Sequence, residues 1–425
     1  MGIPVSLRDE REHPFVVLLT RFAAPALILV FYVTAALHFE YTPEGTYASL
    51  VALDDLSSLG GTLITLASFV HLDVLLAAKV FSMLFCCIAL LFSYLIAYEV
   101  LGDRLLALSA LLALSTQAWL VQVAPSGSGV GFFLVLILAA IFFLLRNDYL
   151  LATIVAGVAT LVSWQSIFLL PVMVLDAYIN SVDKARSMKL IPSILLVFVA
   201  VLQPWVLYAI YARRPFLPNE MGSADVPTLF PHLSFEMVLL VGVMFVGVAL
   251  LAMRERELLR THTAPLLWIA AASFTHHRLF ALTLPLIIVY AFFSVQHIMR
   301  SFARAVLPAH IAGVVFTALV LAYNQFVLLP VTTRTLEESR AVAAELKTAA
   351  LWVKANARAE ETVNAPEGFM SLVTFYAARR VGVPNAHFLI SDQADVAGFE
   401  MVFDPVQEQP EFLLDAVRYK VWRRK

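Results

Sequence analysis

The sequence predicts an α-helical polytopic membrane protein of about eleven transmembrane helices, followed by a small C-terminal extracytoplasmic α/β domain. Three observations carry that prediction. Apolar runs follow one another almost without interruption from Phe15 to Pro330. The Lys and Arg residues between them fall in alternate polar gaps, and after Val331 the composition turns polar. The chain is 61% hydrophobic and 14% charged with a mean hydropathy of +0.84, which excludes a water-soluble protein of this length.

A run of about 20 apolar residues crosses the hydrocarbon core, and shorter ones do so inside a bundle that satisfies their ends. The first span runs from Phe15 to His38; no small-residue cleavage site follows it, so it reads as a retained helix and not a signal peptide. The second runs from Val74 to Val100 and turns at Gly102-Asp103-Arg104. The third ends near Gln122, and the fourth lies between Gly129 and Arg146-Asn147-Asp148. The stretch from Tyr149 to Asp176 reads either as one long helix or as two short ones broken at Ser163-Trp164-Gln165-Ser166.

Charge decides between these. Short cytoplasmic loops are rich in Lys and Arg. With Arg8 and Arg11 inside, Arg104 and Arg146 also fall inside, and Lys184, Arg186 and Lys189 join them only if two short helices meet at Trp164-Gln165. The chain then leaves through Leu190 to Tyr211, returns to Arg254-Glu255-Arg256 and goes out to Thr275-His276-His277-Arg278. It comes back to Arg300 and Arg304 and leaves again through Val306 to Leu329. The N-terminus is thus expected in the cytoplasm of a prokaryote, the helices in its plasma membrane and the C-terminus outside. Arg213, Arg214 and Arg278 are the external exceptions to the charge asymmetry, which singles them out for function.

Two domains follow, residues 1–330 in the membrane and 331–425 outside it. In the second, Leu336 to Asn356 has helical spacing, Thr362 to Ala365 reads as a strand, Ser371 to Ala378 as a helix and Arg418 to Trp422 as a strand. A segment this small packs closely on the helices for want of a large core. The terminal Arg423-Arg424-Lys425 reads as solvated. Cys86 and Cys87 are adjacent in one span, where a disulfide between them is geometrically disfavoured. There is no Cys/His metal motif, no glycine-rich phosphate loop before a helix and no basic stripe for nucleic acid.

The first external loop, residues 39–73, holds Glu40, Glu44, Asp54, Asp55, His71 and Asp73 with no Lys or Arg. Tyr47, Leu50, Val51, Leu56 and Leu59 between them suggest amphipathic helices lying on the bilayer. The run Leu56 to Val70 is short, contains Gly60-Gly61 and reads as interfacial, not as a further span. Acids without basic partners make a negative site for a divalent cation such as Mg2+ or Mn2+, or supply a base; Asp54, Asp55 and Asp73 are the candidate metal ligands. The alternative is that these acids cap interfacial helices and face water.

Phe39-Glu40-Tyr41-Thr42-Pro43-Glu44-Gly45-Thr46-Tyr47-Ala48 resembles the first-loop signature of the GT-C membrane glycosyltransferases, which include protein O-mannosyltransferases, aminoarabinose transferases and the catalytic subunit of oligosaccharyltransferase. Other segments resemble that group in order: Gly102-Asp103-Arg104, the short-helix pair around Trp164, Gln203-Pro204-Trp205, Thr275 to Arg278 before Leu284-Pro285, and Ala350 to Asn356. Four positions depart from the pattern. Pro43 replaces the first acid of the usual pair, and the second external loop reads Ala124-Pro125-Ser126-Gly127-Ser128-Gly129 without an acid. Gln165-Ser166 stands where Lys-Gly is common, and Ala365-Pro366-Glu367-Gly368 where oligosaccharyltransferase has Trp-Trp-Asp-Tyr-Gly.

The resemblance implies an inverting transferase that moves a sugar from a polyprenyl-phosphate donor to an acceptor on the extracytoplasmic face. Such a reaction needs a carboxylate to deprotonate or orient the acceptor and a positive group to stabilise the departing phosphate. Glu44 is the candidate base, with Glu40 in reserve. Arg278 is the candidate phosphate clamp, helped by His277 or by Arg213 and Arg214; the alternative is that Arg278 snorkels and the arginine pair anchors a helix at the headgroups. The expected partners are the lipid-linked sugar, or a related lipid, and the bilayer, with no nucleic acid. A second class of function is a non-catalytic protein on the same scaffold, binding a lipid-linked head group or serving as an assembly subunit; the missing second acid favours it. A secondary transporter would show an internal repeat with broken helices, and none is visible.

Overall fold

The computed structural model describes residues 19–37, 74–126, 129–180, 184–212, 230–254, 260–275, 282–303, 306–366, 369–379, 381, 385–393, 395–404 and 419–424. Within these, the first 330 residues are helical throughout. After a π-turn at Leu19–Ala23 come α1 (Ala24–Leu37), α2 (Val74–Leu101), α3 (Arg104–Ser115), the short α4 (Ala118–Val123) and α5 (Val130–Leu145). Then follow α6 (Tyr149–Val162), α7 (Leu169–Asn180), α8 (Lys184–Ala212), α9 (Phe230–Arg254), α10 (Thr263–Thr275), α11 (Leu284–Ala303) and α12 (Val306–Tyr323). Four helical segments among the described residues are long and apolar enough to cross a membrane: Thr20–Leu37, Leu76–Leu101, Leu190–Tyr211 and His310–Val327. Shorter apolar helices accompany them. Leu27, Leu196, Val199, Val314 and Leu319 are each more than 60% exposed, a surface that lipid tolerates and water does not.

Two turns at one end of the bundle use the same device. Gly102 (φ 60°) and Asn147 (φ 59°) take the left-handed conformation that ends a helix. The next residue in each case is an aspartate capping the next helix: Asp103 accepts from the Leu106 N–H at 3.1 Å, and Asp148 from the Leu151 N–H at 3.3 Å. Glu99 pairs with Arg146 at 3.2 Å and links the two turns. This is the capped end of the bundle.

Hydrogen bonds fix the direction of the other helices. Tyr94 Oη donates to Thr20 O at 3.1 Å, and Tyr32 Oη to Leu120 O at 2.7 Å, so α1 runs antiparallel to α2. His310 Nε2 meets Asp103 Oδ2 at 2.6 Å, while Asn324 Nδ2 donates to Thr116 Oγ1 at 3.4 Å, so α12 runs parallel to α3 and is tied at both of its ends. Gln296 Nε2 donates to Leu101 O at 3.2 Å, which brings α11 towards the capped end. Alongside α11 lies α9, at a distance only glycine allows: a Cβ on Gly247 would come within 2.5 Å of the Ser294 Cα.

The stretch from Tyr149 to Asn180 is two helices joined by a 3-10 turn at Trp164–Phe168, as the charge argument required. The third predicted span differs. It stops at Ser115, and α4 follows as a separate piece after Thr116 and Gln117. Hydroxyls explain the break: Ser115 and Thr116 turn back onto the carbonyls of Leu112 and Ala113, competing with the next helical turn.

From α12 a π-turn at Asn324–Leu328 leads directly into α13 (Leu329–Asn356), so this helix begins seven residues before its amphipathic spacing becomes visible at Leu336. Beyond it lie β1 (Val363–Asn364), α14 (Met370–Ala377), β2 (Phe388–Ser391), β3 (Phe399–Phe403) and β4 (Lys420–Arg424). The sheet order is β1-β2-β4-β3, with β1 parallel to β2 and the other pairs antiparallel. Its core is separate from the helical one: Leu346, Ala349, Ala350 and Val353 of α13 join Phe388, Ile390, Phe403 and Val421. The last strand reaches Arg424, two residues past the sequence expectation. Arg423 is half-exposed as expected, yet it packs over the Phe388 ring at 5.6 Å and reaches Glu361 at 3.4 Å.

Candidate functional site

Each candidate site residue lies outside the described residues: Glu40, Glu44, Asp54, Asp55 and Asp73 in 38–73, Arg213 and Arg214 in 213–229, and His277 and Arg278 in 276–281. The described residues that flank these segments do have a defined place. Segment 38–73 joins the end of α1 to the start of α2, both opposite the capped end. Segment 276–281 leads towards the start of α11, which lies far from Leu101, and follows α10, which leaves the capped-end region at His262. Segment 213–229 begins where α8 ends. That helix starts four residues after Asn180, near the capped end, and its 29 residues rise about 43 Å. The described helix ends from which these three segments depart therefore lie at the same end of the bundle.

The described floor at that end is built from the breaks in the helices. Ser82 Oγ donates to Val123 O at 3.0 Å, and together with Tyr32 it pins α4 against α1 and α2. Gly131 sits so near α2 that a Cβ would meet Cys86 Sγ at 2.9 Å. Beside this floor the Trp164–Phe168 turn packs on α10, the helix that leads to Arg278. In that turn Ser166 Oγ donates to Ser163 O (2.9 Å) and meets Thr160 Oγ1 (3.2 Å). Ser163 itself is fully buried, and its Oγ, like the buried Oε1 of Gln165, meets no hydrogen-bond partner among the described residues.

A second polar cluster lies deep in the bundle towards the capped end. Asp176 is 1% exposed. It accepts from Tyr149 Oη at 2.9 Å and from Asn180 Nδ2 at 2.9 Å, and its helix packs on α10. Nearby, Tyr290 Oη and His262 Nδ1 are 3.1 Å apart, and the His262 ring lies against Phe293. The sequence reading used Asp176 only as a helix boundary. An aspartate and a histidine inside apolar runs were the available signal, because ionisable groups in a membrane interior need partners. These bonds join α6 to α7, and His262 at the start of α10 to α11, so the cluster acts as a joint between the four helices. Among the described residues no three His, Cys, Asp or Glu side chains come together as metal ligands.

The fold matches those of GT-C enzymes of known structure. An oligosaccharyltransferase from Archaeoglobus fulgidus, in its apo form, superposes with a TM-score of 0.57 at 11% identity, over 84% of this chain and 64% of that one. This chain thus spans less than two thirds of that enzyme's length. ArnT from Cupriavidus metallidurans, solved bound to undecaprenyl phosphate, superposes with a TM-score of 0.57 at 14% identity, over 93% of this chain and 97% of that one. At such identities the likeness is one of fold. No family profile matches the chain, and no curated protein sequence does.

Proposed function

We propose that this protein transfers a sugar from a polyprenyl-phosphate donor to an acceptor on the extracytoplasmic face of the membrane. One observation carries the reading: nearly the whole chain shares its fold with nearly the whole of ArnT, a protein solved with undecaprenyl phosphate bound. The described helix ends that lead into segments 38–73, 213–229 and 276–281 lie at one end, which supports it, since base and phosphate clamp must face one reacting atom. Glu44 serves as general base, with Glu40 beside it in sequence. Arg278 neutralises the departing phosphate, assisted by His277, Arg213 and Arg214. If a divalent cation takes part, Asp54, Asp55 and Asp73 are the side chains that hold it, and it would supply positive charge at the phosphate. The end bearing these segments is the extracytoplasmic one.

The test is release of undecaprenyl phosphate from undecaprenyl phosphosugars by purified protein in lipid vesicles containing a membrane extract as acceptor source. Turnover is expected to fall about 10²–10⁴-fold in Glu44→Gln and about 10²–10³-fold in Arg278→Ala. Wild-type protein that binds the lipid without turnover, and is indifferent to Glu44→Gln, establishes the second reading instead, a non-catalytic lipid-binding scaffold. Pro43 in place of the first acid, and the acid-free 124–129 segment, favour that second reading.

A further inference from the structure

The break between α6 and α7 has an energetic oddity. A turn that breaks a helix frees backbone polar groups, and this one buries side-chain groups as well. A buried polar atom without a partner costs about 1–3 kcal/mol, and such atoms call for a specific cause. Here two of them, Ser163 Oγ and Gln165 Oε1, stand two residues apart in one 3-10 turn, while the neighbouring Ser166 hydroxyl is satisfied within it. The turn lies at the end of the bundle where α1 finishes and α2 begins, and it packs on α10.

Resting on the function proposed above, we propose that Ser163 and Gln165 form a neutral subsite that hydrogen-bonds the hydroxyl or amino groups of the sugar carried by the lipid donor. The chemistry of the two atoms selects this ligand. A glutamine Oε1 only accepts, and a serine Oγ both donates and accepts. A phosphate oxygen brings further acceptors and leaves Gln165 unmatched; a sugar hydroxyl brings the donor that Gln165 lacks and an acceptor for Ser163. The phosphate is then left to the positive charges of the proposed function, Arg278 first among them.

The experiment measures binding to the full chain in detergent micelles with four probes: undecaprenyl phosphate, and undecaprenyl phosphate esterified with glucose, mannose or arabinose. Wild-type protein should prefer at least one sugar-bearing lipid over the bare phosphate by about tenfold or more, about 1.4 kcal/mol per factor of ten. The double substitution Ser163→Ala, Gln165→Leu should cut that preference to about threefold or less and leave the affinity for undecaprenyl phosphate within about twofold, because groups that pair only with the sugar act only on its binding. Gln165→Leu alone, which removes the acceptor and leaves Ser163, should lower the preference in part and stands in if the double variant does not fold. A trapped water satisfying both atoms predicts a preference unmoved by either substitution, and that result overturns the subsite, as does wild-type protein that never distinguishes the lipids. Wild-type protein that binds none of the four overturns the proposed function itself, and the subsite with it.

Discussion

Replacing Tyr149 and Asp176 singly and together tests whether the buried cluster towards the capped end holds the bundle. Asp176 is almost wholly buried and accepts hydrogen bonds at 2.9 Å from Tyr149 and Asn180. Tyr149→Phe removes one of these donors, a loss of about 1–2 kcal/mol. Asp176→Asn keeps the shape but turns an amide N–H2 towards a donor, and at about 1–3 kcal/mol for each frustrated buried group it should cost about 2–3 kcal/mol. Because the two changes remove the same bond, the double variant should cost about 1–2 kcal/mol less than the sum of the singles. Equilibrium unfolding of the full chain in mixed micelles gives the four free energies. Single costs that add to within about 0.5 kcal/mol would show that the pair does not act as one unit, and the account of the joint would fail.

Three further outcomes follow from other parts of the structure. Gly247→Ala should destabilise the protein by about 1–3 kcal/mol through overpacking against Ser294, whereas Gly242→Ala on the same helix, where a Cβ meets nothing within 4 Å, should be neutral or stabilising; equal effects in thermal unfolding would refute the close α9–α11 contact. Burial, followed by the Asp392 and Glu345 carboxylates, raises the Tyr419 phenol above its ordinary value. The unfolded chain therefore loses this proton first, and stability contributed here is constant below about pH 10 and falls as pH rises beyond it; Tyr419→Phe should flatten that slope in unfolding measured between pH 9 and 11. In a background lacking Cys86 and Cys87, a membrane-impermeant maleimide added outside should label Gln393→Cys and miss Asp183→Cys, and the reverse pattern would invert the proposed orientation.

The sequence alone determined the class of fold and many boundaries, because hydrophobic spans and their turns are local. The limits of α2 and α5, the double turn at Gly102-Asp103 and Asn147-Asp148, and the division at Trp164 were all legible in runs of a few residues. The charge asymmetry resolved the one ambiguous stretch, and the order of weak motifs pointed to the GT-C scaffold. The strands β2 and β3 escaped notice because each is only a few residues long and takes its place from partners distant in sequence. The early start of α13 escaped for another reason: the helix continues out of α12 through a π-turn at Asn324–Leu328, and its amphipathic spacing begins only at Leu336.

What only the tertiary structure decided is which distant groups meet. Asp176 looked like the end of a helix; with Tyr149 and Asn180 bonded to it and α10 against its helix, it is the centre of a joint. Ser163 looked like a helix break, and burial without a partner made it a candidate for recognition. Asp103 capped a helix on local evidence, but its bond to His310, more than two hundred residues away, appears only when α3 and α12 lie side by side. Hydrophobicity and capping act over a few residues and are written in the chain order. The satisfaction of buried polar groups is settled between helices, where the packing of the whole bundle determines which donor faces which acceptor.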